Sequence, residues 1–288
     1  MTSHVAATQR LCICADDFGM NAGINAAVLD LIARRNLSAT GCLVLREAWP
    51  RGLPALRRVD AACVDVGLHL DLTPPRTAGA EEPGLGALVL RCYARSMPRA
   101  RLRQTIAGQL ARFEDGLGRA PAFVDGHRHV HQLPMVRELL LEELSRRYAA
   151  APPWLRNTRP GAAAFKPRVI HALGGRALVR DAARRSIPTS RGLLGVYNFA
   201  GGVAGYRQRL LAWLSAARSG DVLMCHPSLA EDAGTPHHEA RAAEYTVLAA
   251  MEFPWRDPRG GQVELMALSG GMHGLRTMCC PTHDTATR

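Results

Sequence analysis

Between residues 11 and 268, short apolar runs of strand length alternate with stretches whose apolar residues recur at helical spacing. That alternation constrains the fold more than any other feature of the sequence. Residues 11–15 read as a buried strand, and 23–35 follow as a helix with Ile24, Val28, Leu31 and Ile32 on one face. Residues 41–45 and 64–70 predict two further strands. Over 101–117, Leu102, Ile106, Leu110, Phe113 and Leu117 return every three or four positions, the stripe of an amphipathic helix. Residues 122–124 predict a strand, and 134–147 a helix opened by proline, where the missing N–H costs nothing. Residues 221–225 and 263–268 predict late strands on either side of a helix near 239–251. Strands and helices in turn place the chain in the α/β class, as a barrel or a doubly wound sheet. The Pro-, Gly- and Arg-rich stretch 152–205 lacks such a period and predicts long surface loops.

The polar residues able to do chemistry fall at one kind of place. Asp16 and Asp17 follow the first strand, and His69 closes the strand at 64–70. Asp125, His127, His129 and His131 follow 122–124, and His226 follows 221–225. In parallel α/β folds the loops after the strand C-termini form the active-site face. Singly, each residue has a plainer explanation: Asp17 as a helix cap, His69 as a core histidine, His226 as a loop residue before Pro227. Four strands delivering Asp or His to one edge point instead to a shared site. An extended chain would turn His127, His129 and His131 to the same side. One ion rarely takes all three, so one or two would ligate while the others orient them or touch substrate. A donor set of His and Asp suits a divalent ion with open positions, such as Zn, Mn, Fe or Mg. Of the neighbours Asp16 and Asp17, one could ligate while the other faces a water as general base.

Other features narrow the class. Eight cysteines in 288 residues, with no CxxC pair, argue against a disulfide framework and a structural zinc site. Cys12, Cys14, Cys42, Cys63 and Cys225 sit in apolar contexts that suit buried free thiols. No apolar run approaches the ~18 residues that cross a bilayer, and the first nine residues do not read as a signal peptide. The expectation is a cytoplasmic protein with no stable membrane insertion. One folded domain would cover residues 1–276, with a disordered tail at 277–288 that includes Cys279 and Cys280. The formal charge of +11 comes from arginine, since Lys166 is the one lysine. Those arginines are spread over every predicted helix, and aromatic residues make up only 5%, too few for base-stacking platforms. Nucleic acid is therefore not an expected partner. Arg241 and Glu244, three apart on a predicted helix, read as a surface ion pair, and Gly67 and Gly126 as tight-turn residues. Thr189, Ser190, Tyr197 and Asn198 suit either sugar hydroxyls or turns. His237 and His238 are not expected as ligands, and His4, His171, His273 and His283 receive no role.

Four segments carry a family resemblance: CADDFGMNAGIN from Cys14, VGLHLDLT from Val66, FVDGHRHVHQLP from Phe123 and MCHP from Met224. Together, and in this order, they resemble the YdjC-like carbohydrate deacetylases, the chitooligosaccharide and hopanoid-associated group, over residues 11–251. The resemblance implies a single irregular (β/α) barrel of the glycoside hydrolase/deacetylase type. It also implies removal of an N-acetyl group from an amino sugar, oligosaccharide or sugar-bearing lipid with one divalent ion, Mg2+ by family habit and Zn2+ as the alternative. Carried over by motif, Asp17, His69 and His127 are the metal ligands, Asp16 the general base and His226 the general acid. An imidazole titrating near neutrality suits protonation of the leaving amine. Arg128, His129 and His131 are left to support the ligands or touch substrate. The chain departs from the family at Cys14, where Asn is frequent, and at Arg128, where some members have His; both bear on substrate preference. Two other functions fit the sequence: hydrolysis of another bond such as a phosphate ester, and non-catalytic polyanion binding resting on net charge. Homodimerisation is left open.

Overall fold

The computed structural model describes residues 8–73, 84–161, 165–229, 235–258 and 260–272. The tail at 277–288, with Cys279, Cys280 and His283, lies outside them, as do His4 and His273. The strands are β1 (Thr8–Phe18), β2 (Ala39–Cys42), β3 (Asp65–Leu70), β4 (Phe123–Gly126), β5 (Trp154–Leu155), β6 (Leu193–Leu194), β7 (Val222–Cys225), β8 (Trp255–Arg256) and β9 (Gln262–Leu265). Seven of them form a parallel sheet in the order β5-β4-β3-β2-β1-β7-β6. Parallel pairing requires long crossovers, and helices supply most of them. The sheet curls until its ends meet, where Leu155 bridges Thr189 and Pro160 bridges Leu193. Closure by isolated bridges rather than a full ladder makes the barrel irregular. At the foot of β1, β9 adds in parallel with Thr8 opposite Gln262, and β8 turns back antiparallel on β9.

The predicted helices form at Ala22–Ala33, Arg99–Leu117, Val136–Arg147 and His238–Ala249. Asn21 caps the first, its side chain accepting from the Ile24 N–H at 2.8 Å. The second ends at Gly118, whose φ of 67° continues the chain in a left-handed turn. The stretch expected to be surface loops holds β5, β6 and helices at Phe165–Ile170 and Arg176–Ala183. Its strands are two residues long, too short to display a period. Helices at Leu85–Tyr93 and Gly202–Ala216 were not predicted either; Gly202 and Gly205 lower the intrinsic helicity of the latter. Among the described residues, no helix is long and apolar enough to cross a membrane.

Strand alternation sorts the side chains into two layers. Leu11, Ile13, Ala15, Leu68, Val124 and Leu223 face outward into the main core beneath the helices. Cys12, Cys14, Phe123, Trp154, Val222 and Met224 face inward and fill the barrel. Gly67 belongs to this inner layer and is not a turn residue. It sits within β3, where a Cβ would come 2.4 Å from the Phe123 ring. Its bare backbone makes room for Phe123, which stacks on Trp154 at 4.4 Å. Gly126, at φ −157°, is extended rather than turned, and it admits the close approach of the His131 backbone. Among the described residues Cys12, Cys14, Cys42, Cys92 and Cys225 are buried free thiols, whereas Cys63 is only half-buried, contrary to expectation.

Candidate active site

The inward register of each strand continues past the filled interior to its C-terminal end. Asp16 keeps the register of Cys12 and Cys14, His69 that of Asp65 and Gly67, Asp125 that of Phe123, and His226 that of Val222 and Met224. Arg156, just beyond β5, keeps the register of Trp154. All five side chains therefore meet at one mouth. In β1 the pairing with β2 shifts register between Ala15 and Phe18, and Asp17 takes φ 70°. This irregularity turns a second carboxylate into the mouth beside Asp16, the usual service of a bulge next to a site.

Two clamps organise the centre. Arg156 donates to both oxygens of Asp16, Nη1 to Oδ2 at 2.7 Å and Nη2 to Oδ1 at 2.5 Å. Its Nη2 also lies 2.6 Å from Asp125 Oδ2. Asp125 Oδ1 in turn meets His69 Nδ1 at 2.7 Å. With Nδ1 engaged by a carboxylate, the Nε2 of His69 faces the mouth, 3.7 Å from Asp17 Oδ1 and 3.9 Å from Asp16 Oδ2. His127 Nδ1 reaches Asp17 Oδ1 at 3.0 Å. One ligand atom each from Asp17, His69 and His127 therefore lies within 4.8 Å of the others, and Asp16, His69 and Asp125 form a second such group. The first group has the donors a catalytic divalent ion takes, two imidazoles and a carboxylate. In the second, Asp16 and Asp125 are already engaged by Arg156, which makes it the poorer candidate.

The second clamp was not expected. Arg241 and Glu244 are buried, and they do not form a surface pair. Arg241 Nη2 donates to Asp17 Oδ2 at 2.6 Å. Glu244 accepts the His226 N–H at 2.5 Å and the Tyr197 O–H at 2.7 Å. One turn of the helix at His238–Ala249 thus holds a candidate ligand and the candidate acid together. Their sequence spacing alone could not reveal this, because an i,i+3 pair looks the same on a solvated face. Arg156 gave no sequence signal either, lying in the unperiodic stretch, while Asp125 was visible among the strand-end residues.

Electrostatics follow from this burial. Three carboxylates, Asp16, Asp17 and Asp125, face two guanidiniums, which leaves one carboxylate charge for the imidazole of His69 between them. Burial alone would raise Asp17, but His127, Arg241 and His226 hold it well below the usual carboxylate range. Burial likewise opposes charge on His69, yet Asp125, Asp16 and Asp17 raise it to about 9. His226, whose Nε2 is 3.9 Å from Asp16 Oδ2, is pushed down to about 4 by burial, which the nearby carboxylates only partly offset. The near-neutral titration expected of it is therefore not found. Glu244 is raised to about 7, burial again being the cause.

The histidine run does not extend as a strand. Residues His127–Gln132 form a 3-10 turn in which Arg128 and His129 have φ of 55° and 61°. The three histidines consequently diverge. His127 alone reaches Asp17; His131 is fully buried with Nε2 on the Arg156 carbonyl at 3.0 Å; His129 Nδ1 is buried without a partner. Arg128 is exposed. His131 thus supports the Arg156 backbone from below. Ser190 is spent on fold, its hydroxyl accepting the Asn157 N–H at 2.9 Å.

Comparison with known proteins identifies the family and the fold. A family model described as YdjC-like protein matches residues 10–254. A carbohydrate deacetylase of Mus musculus is 29% identical over 148 residues, 47% of this chain and 47% of that protein. The match therefore spans about half the length of that curated relative. Among solved structures, an Enterococcus faecalis V583 protein provisionally assigned to cellobiose-phosphate cleavage superposes with a TM-score of 0.61 at 17% identity. That superposition covers 85% of this chain and 92% of the other. An uncharacterised protein of Agrobacterium tumefaciens C58 superposes with a TM-score of 0.50 at 13% identity, over 93% and 90%. At these identities the likeness is one of fold.

Proposed function

The chain belongs to the YdjC-like family, and from that premise we propose that it removes an N-acetyl group from an amino sugar, oligosaccharide or sugar-bearing lipid intermediate, with one divalent ion bound. The observation that carries this reading is the convergence of Asp17, His69 and His127 beside the clamped Asp16. Asp17 spends Oδ2 on Arg241 and His69 spends Nδ1 on Asp125, which leaves Asp17 Oδ1 and His69 Nε2 facing the same space. These residues would hold Mg2+, the family's implied ion, or Zn2+, which suits two imidazoles. When bound, such an ion supplies Lewis acidity toward a carbonyl oxygen and acidifies water.

The chain's own groups account for the proton traffic. Asp16, fixed in orientation by Arg156, takes a proton as the water oxygen bonds to the acetyl carbon. The C–N bond then breaks as His226 gives a proton to the nitrogen, releasing acetate and a free amine. Because His226 rests neutral, that proton comes from within the reaction, and Asp16 Oδ2 is its near neighbour at 3.9 Å. Water, Asp16, His226 and amine therefore form one relay. Cys14 lies 3.7 Å from Asp16, but burial holds its thiol well above its ordinary value, so it is no nucleophile. Phosphate-ester hydrolysis is less well supported, since both guanidiniums at the centre are already taken by carboxylates. A cytoplasmic setting suits the free thiols.

The test is acetate release from an N-acetylglucosamine oligomer before and after chelation. Activity should vanish in chelator and return with a divalent salt. Full activity in a verified metal-free protein, or phosphate release in place of acetate, would sink the proposal.

A further inference from the structure

Beside His226 stands an aromatic wall that the proton relay does not use. The Phe199 ring meets the His226 ring edge-on, with centroids 5.3 Å apart. Phe199 also stacks on His237, at 4.4 Å and an interplanar angle of 6°. The two come from separate elements: Phe199 from the segment between β6 and the helix at Gly202–Ala216, His237 from the N-cap of the helix at His238–Ala249. Phe199 is half-buried and His237 is exposed, so the stack stands at the mouth and not in the core.

Both residues hold a backbone conformation that costs energy. Phe199 has φ 57° and His237 φ 61°. Of the other non-glycine residues with positive φ, Arg35, Arg95 and Ser186 follow helix C-termini, where a left-handed residue is ordinary. Phenylalanine has no polar side chain to compensate, so its surroundings must impose the conformation. They do. Gly195, Gly201 and Gly202 take φ of 90°, 101° and 54° around it. Tyr197 donates to Glu244, its carbonyl accepts from Lys166 Nζ at 2.9 Å, and the Ala200 carbonyl accepts from Arg209 Nη1 at 2.9 Å. A strained bulky residue fixed this firmly at a catalytic rim is a positioned side chain.

Such a wall favours one kind of ligand. An aromatic face is electron-rich, and the C–H bonds on one face of a pyranose, polarised by the ring and hydroxyl oxygens, are its natural complement. We infer that the Phe199–His237 stack is a pyranose-binding platform, seating the sugar whose acetamido group is presented to Asp16 and His226. This rests on the deacetylase reading of the same site.

The decisive variant is Phe199→Gly, because glycine accepts φ 57° without strain and can keep the backbone path while removing the ring. With N,N′-diacetylchitobiose as the probe, calorimetry should show affinity weakened roughly tenfold, and KM for acetate release should rise by about the same factor. The rate on 4-nitrophenyl acetate, which has no sugar, should fall far less than the rate on the disaccharide, and Phe199→Tyr should restore binding. A Phe199→Gly protein that binds the disaccharide like wild type overturns the platform, as does a wild-type protein that does not bind it at millimolar concentration. If binding falls as expected but no variant, wild type included, releases acetate, the platform stands and the deacetylase reading fails. Acetate release with an unchanged KM has the opposite meaning.

Discussion

Replacing Glu244 by Gln isolates one consequence of the clamp that holds His226. The Glu244 carboxyl is 1% exposed, and burial raises it from its ordinary 4.5 to about 7. Between those values the folded protein binds a proton that the unfolded chain has released, so stability falls as pH rises through the window. At about 1.4 kcal/mol per pH unit, the loss from this group alone is about 3 kcal/mol between pH 4.5 and 7. Glutamine does not titrate, yet it can keep both contacts. Its oxygen accepts the His226 N–H, while its amide donates to a Tyr197 hydroxyl whose hydrogen has rotated away. The assay is urea unfolding of both proteins from pH 4.5 to 8, read as the difference between them so that other titrations cancel. That difference should swing toward the variant by about 3 kcal/mol as pH rises. A flat difference, or one that swings the other way, would refute the argument that Glu244 is buried against its own charge.

The neighbouring carboxylates should separate by function. Asp16→Asn should keep metal while turnover falls by ~10²–10⁴, whereas Asp17→Asn should lose metal first; equal loss of metal from both, measured by elemental analysis, removes the distinction. For His226→Ala, amide hydrolysis should fall by a similar ~10²–10⁴ while an acetyl ester with a good leaving group falls far less. Parallel losses on both substrates would leave His226 a packing residue.

The residues at the strand ends were legible because an inward register is a property of sequence. Once 64–70 reads as a strand, His69 must share a face with Asp65 and Gly67, and the same holds for Asp16 after Cys12 and Cys14. What stayed hidden has physical causes. β5 and β6 are two residues long, too short for a period, so Arg156 had no strand to announce it. The turn at His127–Gln132 depends on left-handed backbone at Arg128 and His129, which neither residue type signals. Arg241 and Glu244 looked like a solvated pair because helix spacing does not say which face is covered. Gly67 looked like a turn because the ring it accommodates, Phe123, lies on another strand.

The closure of the barrel carries a mechanical consequence for the base. Arg156 hangs on the stretch of chain that makes the isolated bridges, so the wall that is thinnest is also the wall that holds Asp16. Across this seam run backbone hydrogen bonds from Leu155 to Pro188, Ser190 to Leu155, Gly161 to Leu193 and Leu193 to Arg159. Sub-global opening in proteins starts where such bonds are fewest, so amide exchange should be fastest here and slowest in β1, β2 and β3. Each opening would carry the guanidinium away from Asp16 and leave that carboxylate free to turn. The lifetime of the base in its working orientation is then the lifetime of the seam, and exchange at Leu155 and Leu193 is the clock that measures it.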